Sequence, residues 1–342
     1  MSQLLDFTSS GMYCPMADIY IDPWKPVDRA IITHAHADHA RIGNRSYLAH
    51  TDSVPLLKHM LGEYIDIEGV EYGTPIYING VKISLHPAGH ILGSAQVRLE
   101  YKGEVWVVTG DFKLVDDKIS QPFEPLKCDV LVTDSTFGLP IFEWQPQQTV
   151  FNDINQWWFN NTEKESVSVV IGYTLGKTQR LLHHLERSIG PIYAHGSIET
   201  VNQVLRRQGI NIPQVEKLDF GRSVPRNSLV LAMPSIIYSP MLKELQPYSI
   251  AAASGWMALR GARKTPNIDK GFVLSDHADW GQLKQSVQET GAKKIFLTNS
   301  GYSSAFSRWL LENGYDVTEV ATKFTGEIKE IEETLGVGVD SF

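Results

Sequence analysis

Cysteine is nearly missing from this 342-residue chain: Cys14 and Cys128 are the two present, and they form no C-x-x-C pair. They read as reduced thiols of an intracellular protein, with at most a single disulfide open to them. Long apolar runs are missing as well, none approaching the roughly 20 residues that span a bilayer. The first ten residues lack the basic segment and apolar stretch of a secretory signal. A cytoplasmic protein with no membrane attachment is expected. Internal repeats and low-complexity linkers are absent. Positive charge is in deficit, with 31 Lys and Arg against 39 Asp and Glu and a formal net charge of -8. Indiscriminate nucleic-acid binding is therefore disfavoured, although a local basic groove stays open, because steering depends on where charges sit. Gly172-Tyr-Thr-Leu-Gly-Lys-Thr178 falls short of the G-x-x-x-x-G-K-[ST] spacing, so ATP binding there is rejected.

What is present is concentrated in Ile31-Ile32-Thr33-His34-Ala35-His36-Ala37-Asp38-His39. A strand is expected over Ala30 to Thr33, running into three histidines and an aspartate. His34 and His36, two apart, project to the same side of an extended backbone. Asp38 and His39 follow where the chain is expected to bend into a helix, aiming a second donor pair at a neighbouring point. Imidazole and carboxylate are the usual donors for zinc and similar divalent ions. A run of surface histidines is the plain alternative. Two donor pairs within one short loop point instead to a two-metal site, where one ion activates water and both steady an oxyanion. The expectation is a metal-dependent hydrolase.

Further candidate ligands stand at strand ends, where rigid sheets present reactive groups. Strands are expected at Val81 to Leu85, Ala95 to Tyr101 and Val105 to Thr109, with antiparallel alternation. His90 sits in the loop Pro87-Ala-Gly-His-Ile-Leu-Gly-Ser-Ala95, and Asp111 follows the strand that ends in Thr109-Gly110. Asp134 closes the strand Val130 to Thr133. Each alone is an ordinary turn residue, and their worth comes from recurring after the histidine loop. Asp22 closes the strand Asp18 to Ile21, and two readings are open there: orientation of a ligand histidine or a turn cap.

From about Gln145 to Ala262 helices and strands alternate, as in a second α/β domain. Helices are expected at Gln147 to Asn161, Lys177 to Arg187 and Ile198 to Arg207. Lys177 and Arg180 either hold a backbone phosphate at a helix start or are solvated cations of a capped helix. Trp157-Trp158-Phe159 reads as core rather than as a base-stacking platform. Arg260, Arg263, Lys264 and Lys270 form a basic cluster that is either a phosphate-tracking rim or a solvated loop. The chain returns with a strand at Phe272 to Leu274, then Ser275-Asp276-His277-Ala278-Asp279.

The order His34-x-His36-x-Asp38-His39, His90, Asp111 resembles the metallo-β-lactamase superfamily. Asp134, the long insertion and Ser-Asp-His277-Ala-Asp resemble its β-CASP branch of nucleases. Asp18-Ile-Tyr-Ile-Asp-Pro-Trp, the histidine loop and Pro-Ala-Gly-His-Ile-Leu-Gly-Ser-Ala are together similar to bacterial ligase-associated DNA exonucleases, relatives of Artemis and the DNA cross-link-repair nucleases. The resemblance covers about Asp6 to Asn313. It implies an αββα sandwich with an inserted β-CASP-like α/β domain, divided as 1–144, 145–262 and 263–342. It also implies that His34, His36 and His90 hold one metal, Asp38 and His39 the other, and that Asp111 bridges them. Asp134 and His277 match a carboxylate–histidine pair whose histidine handles the leaving group. Many relatives carry one more ligand histidine where this chain has Ser300; a hydroxyl ligates zinc poorly, so a weaker second site, or one tolerant of manganese or magnesium, is expected. The cross-link-repair nucleases share both that departure and an Asp at the place of Asp134, which favours DNA.

The expected function is a DNA phosphodiesterase with two divalent ions, zinc foremost, and a hydroxide activated by both. Its catalytic residues are Asp38, Asp134 and His277. It is expected to be an exonuclease of DNA repair that favours 5′ ends and works beside a ligase or helicase. Lys177, Arg180, Arg260 and Ser300 are candidate substrate contacts. The alternatives are an RNA-processing nuclease of the same fold and a non-catalytic repair scaffold.

Overall fold

The computed structural model describes residues 3–259, 267–298 and 303–324. The chain forms two compact units, one from Met1–Pro140 and Asp276–Gly326, the other built on Ile141–Ser275.

In the first unit one sheet takes its strands in chain order: β1 (Asp6–Phe7), β2 (Met12–Cys14), β3 (Ile19–Ile21), β4 (Arg29–Ile31), β5 (Ser46–His50) and β6 (Ile67–Val70). From β3 onward these run parallel. The second sheet begins with β7 (Ile76–Ile78), β8 (Val81–Pro87), β9 (Ala95–Tyr101) and β10 (Glu104–Val108), antiparallel neighbours as their alternation requires. Next, β11 (Val130–Asp134) lies parallel to β10.

The second unit contributes β12 (Val167–Ile171), β13 (Ile192–His195), β14 (Glu216–Leu218), β15 (Leu229–Ala232), β16 (Tyr248–Ala253) and β17 (Lys270–Phe272). They make a parallel sheet in the order β14-β13-β15-β12-β16-β17. Every residue of β12 is buried, as befits a parallel strand covered on both faces. Back in the first unit, β18 (Lys294–Thr298) and β19 (Asp316–Glu319) extend the second sheet beyond β11.

The period of two along a strand decides the layers of the first unit. Trp106, Val108, Val130, Val132 and Phe296 join Ile21, Ile31 and Leu48 in the core between the two sheets. The alternate residues Val107, Leu131, Ile295 and Leu297 turn the other way. They pack on Leu283 and Val287 of helix Trp280–Thr290 and on Phe306 and Leu310 of helix Ser303–Glu312. Beside β6, helix Val54–Leu61 buries Leu56, Leu57 and Leu61. The layering is the αββα sandwich. Among the described residues no helix is long and apolar enough to cross a membrane.

Several expectations are corrected. β4 ends at Ile31, not Thr33, and no helix follows at Asp38–His39. A single turn forms there, with the His39 and Ala40 amides both donating to the His36 carbonyl at 3.1 and 2.8 Å. The helix from Lys177 stops at His184. The second unit runs on past residue 262, because β17 pairs with β16. Phe272–Leu274 is a strand only at its first residue. In Trp157-Trp158-Phe159, Trp158 is core and donates from its indole N–H to the Asn227 carbonyl at 3.0 Å, while Phe159 is 47% exposed.

Candidate metal centre

The loops after β3, β4, β10 and β11, the β8–β9 loop and the segment before helix Trp280–Thr290 bring their polar residues together inside the first unit. Two backbone positions permit this approach. Gly110 has a φ of +57°, and a Cβ there would stand 2.8 Å from the Thr33 side chain. Gly89 has a φ of +73°, and its Cβ would stand 2.3 Å from the Lys113 carbonyl. Both conformations suit glycine and strain any L side chain.

The histidine rings are oriented by groups that can only accept, or that are themselves committed as donors. Asp22 has a φ of +43° and is fully buried. Its carboxylate accepts from the Thr33 amide at 2.8 Å, the Thr33 hydroxyl at 2.6 Å and His39 Nδ1 at 2.7 Å. Thr33 Oγ1, its proton given to Asp22, accepts from His34 Nδ1 at 3.0 Å. His90 Nδ1 donates to the Asp276 carbonyl at 2.7 Å. In all three rings the proton is placed on Nδ1, and the Nε2 lone pair faces inward. Such outer partners fix the tautomer and direction of metal-binding histidines. Of the two readings open for Asp22, orientation of a ligand histidine fits this geometry.

Those inward atoms converge on Asp111. Its Oδ2 lies 3.5 Å from His34 Nε2 and 3.9 Å from His90 Nε2, and His90 Nε2 is 3.1 Å from His36 Nδ1. Its Oδ1 lies 3.5 Å from His39 Nε2, and that nitrogen is 3.9 Å from Asp38 Oδ2. His34, His36, His90 and Asp111 thus form one group able to hold a metal ion. Asp111 also belongs to a second such group with Asp134 and His277, while His39, with Asp38 beside it, faces its other oxygen. The Nε2 atoms of His34 and His39 are buried without a hydrogen-bond partner, which is costly unless a ligand satisfies them. Imidazole nitrogens with carboxylate oxygens suit zinc and related divalent ions. The residues present fit such ions.

Electrostatics points the same way. Burial holds the His34 and His90 imidazoles well below the usual range, reinforced by the neighbouring histidines, so both are neutral donors. Burial also lifts the Asp111 carboxyl, with Asp134 and Asp38 adding to the rise and His39 and His277 opposing it. At His39 burial pulls downward, but Asp111, Asp38 and Asp22 outweigh it and the imidazole is raised. A buried cluster of carboxylates calls for positive charge, which divalent ions would supply in place of the proton on His39.

Beside this set, His277 Nδ1 lies 3.0 Å from Asp134 Oδ2, and its Nε2 lies 3.7 Å from Asp111 Oδ2. Asp134 Oδ1 accepts from the Thr136 amide and hydroxyl at 2.9 and 2.6 Å. Both oxygens of Asp134 are therefore engaged, which suits orienting His277. Burial pushes this carboxyl up, yet the His277 and Thr136 bonds prevail and hold it down.

The substrate contacts fare differently. Lys177 and Arg180 are buried in the second unit, where Arg180 donates to Gln147 Oε1 and the Ser275 carbonyl at 3.0 and 2.8 Å. That placement suits pinning the turn rather than lining a solvent-facing groove. Arg260, Arg263, Lys264 and Ser300 lie outside the described residues.

One anchor was not singled out from the sequence. The buried Lys113 ammonium donates to the His90 carbonyl at 3.2 Å and to Asp117 Oδ2 at 2.7 Å, and lies 3.7 Å from Asp276 Oδ1. It joins the loops carrying His90, Asp111 and His277. The one available signal is an acidic residue four positions after a lysine. Burial alone would lift the Asp117 carboxyl, but Lys113 and the Ser120 hydroxyl and amide hold it down at about 2, against an ordinary 3.8. A lowered value means stability present above about pH 4 and lost as pH falls towards 2, worth about 2 kcal/mol. Asp117→Asn should therefore lower the thermal midpoint at pH 7. Its deficit against the parent should shrink between pH 4 and 2, as thermal melts across that range would record; a deficit independent of pH would contradict the pairing.

No protein-family model matches this chain. It is 30% identical over 315 residues to a probable DNA ligase of Opitutus terrae, a match covering 90% of this chain and 30% of that protein. It is 23% identical over 310 residues to an RNase J-like protein of Methanocaldococcus jannaschii, covering 79% of this chain and 71% of the relative. Endoribonuclease YSH1 of Candida glabrata is 29% identical over 143 residues, 41% of this chain and 18% of the relative. The chain thus spans less than a third of the length of the Opitutus and Candida proteins. A crystal structure of a protein of unknown function from Enterococcus faecalis V583 shares the fold, with a TM-score of 0.59 at 12% identity over 86% of this chain and 79% of that one. With the sandwich and the inserted α/β unit on the page, the chain has the metallo-β-lactamase fold with a β-CASP-like insertion, and it is similar to the probable ligase, RNase J-like and endoribonuclease relatives.

Proposed function

We propose that this chain is a metal-dependent phosphodiesterase that shortens DNA from an end, the 5′ end favoured, in DNA repair. The observation that carries the reading is Asp111, whose two oxygens face two separate donor sets. Two zinc ions held there would supply a water nucleophile at neutral pH and neutralise phosphate charge. Asp38, more open than Asp111 at 13% side-chain exposure, is placed to accept a hydrogen bond from the attacking water. His277, with Asp134 on Nδ1, presents Nε2 to the departing sugar oxygen and gives it a proton. Asp134 keeps the ring aimed and stabilises its positive charge.

The Opitutus match supports DNA as substrate, with strand ends near a ligation step and a ligase or helicase as partner, since the region similar to this chain lies in a protein named as a probable ligase. RNA is the second reading, favoured by the RNase J-like relative, of which the chain covers 71%. A non-catalytic scaffold has no use for buried, mutually oriented ligand side chains.

The test uses end-labelled single-stranded DNA and RNA with metal-stripped protein, zinc, manganese or magnesium being added back. Stepwise shortening of DNA, abolished in His36→Ala, is the expected outcome. Preferential cutting of RNA would transfer the reading to RNA processing. No cutting of either by folded, metal-loaded protein would end it.

A further inference from the structure

The ring of His39 is constrained from two sides, and only one of them belongs to the histidine loop's own strand-end partners. In its plane, Asp22 Oδ2 accepts from Nδ1. Across its face lies Phe324, stacked with ring centroids 4.1 Å apart and planes inclined by 8°. Phe324 is buried, and its own ring meets Trp24 edge-on at 5.8 Å and 79°. The segment that carries it is clasped by Arg41, whose Nη2 donates to the Lys323 carbonyl at 3.0 Å and whose Nε donates to the Asp38 carbonyl at 3.3 Å. Just upstream, the Val320 amide donates to the Leu297 carbonyl at 2.9 Å. Phe324 thus meets His39 directly, and Lys323 is linked to the Asp38 backbone through Arg41.

We propose that Phe324 is a positioning residue for the second metal ion, fixing the ring plane in which His39 offers Nε2. The inference rests on reading the site as a two-ion centre. The physical reason is that Asp22 holds one edge of the imidazole, while rotation about the terminal torsion, a broad one for histidine, is stopped by the phenyl face. That face also favours the positive charge an imidazole shares with a bound cation. The ring stacked on Phe324 is that of His39, on the second ion's side of Asp111, so loss of Phe324 should be felt foremost by the second ion.

The test is a zinc titration of the metal-stripped full chain in competition with a chromophoric chelator. Phe324→Leu keeps apolar volume against Trp24 but removes the flat face, and Phe324→Trp keeps a flat face. Wild type should take up two equivalents. In Phe324→Leu the first should bind as before and the second about tenfold more weakly, the scale of losing an outer partner of a ligand. Phe324→Trp should restore the second. Phe324→Met, which also keeps apolar volume without a flat face, should weaken the second selectively and decides the matter if Phe324→Leu does not fold. Equal weakening of both equivalents, an unmoved second equivalent, or no restoration by Trp would overturn the inference while leaving the two-ion reading intact. Fewer than two equivalents in wild type would overturn both.

Discussion

Asp111→Asn is expected to cost about 10³-fold in turnover, some 4 kcal/mol of transition-state stabilisation, while the protein stays folded. The substitution keeps the volume and one oxygen, so the packing near Gly110 and Phe112 is preserved. It replaces an oxygen facing one donor set by an amide nitrogen, which offers no lone pair to a cation. Because Oδ2 faces His34 and His90 and Oδ1 faces His39, either orientation of the amide deprives one set of its shared donor. Metal content should fall from two ions to one or fewer. The measurement pairs metal analysis of purified protein with a rate on end-labelled DNA and a far-ultraviolet spectrum as the folding control. Two retained ions with near-parental turnover would contradict the bridging role.

Asp134→Asn and His277→Ala are expected to act as one unit. In the proposed mechanism His277 serves the leaving oxygen and Asp134 acts through His277, because its two oxygens are taken by His277 and Thr136. Loss of a positioned acid costs about 10² to 10⁴ in rate. Removing both partners should cost little more than removing His277 alone, as for groups that share one step. The loss should fall on kcat, with KM for DNA little changed. A double-mutant cycle on initial rates reads this, and additive losses would show two independent roles. A substrate with a better leaving group should recover much of the His277→Ala rate, which a purely structural defect would not allow.

The centre was legible to unequal depth. His34, His36, Asp38 and His39 stand close in sequence, so their convergence follows from spacing alone. The local geometry behind that spacing did not follow. β4 ends early, and the loop closes in a turn on the His36 carbonyl, because Asp22 and Thr33 take over the hydrogen bonding that a longer strand would have used. Asp111 and Asp134 were visible as acids ending apolar strands. The pairing of Asp134 with His277 spans 143 residues, and no local pattern reports it; resemblance to a family supplied that pairing. Lys113 follows a buried strand, and its burial depends on Asp117 four residues on and on Asp276 arriving from a distant loop. Lys177 and Arg180 look like rim cations in sequence and are interior in the fold. β19 and Phe324 escaped for a further reason. Asp316–Glu319 is a polar edge strand with only one residue partly buried, so period-two alternation had almost nothing to act on.

Diffraction from crystals of the zinc-loaded chain, with anomalous data at the zinc edge, tests the central claim most directly. The account predicts two peaks about 3.5–4 Å apart, one among His34, His36 and His90, the other at Asp38 and His39, with Asp111 touching both. A single peak at full zinc saturation, or two peaks that do not share Asp111, would contradict it.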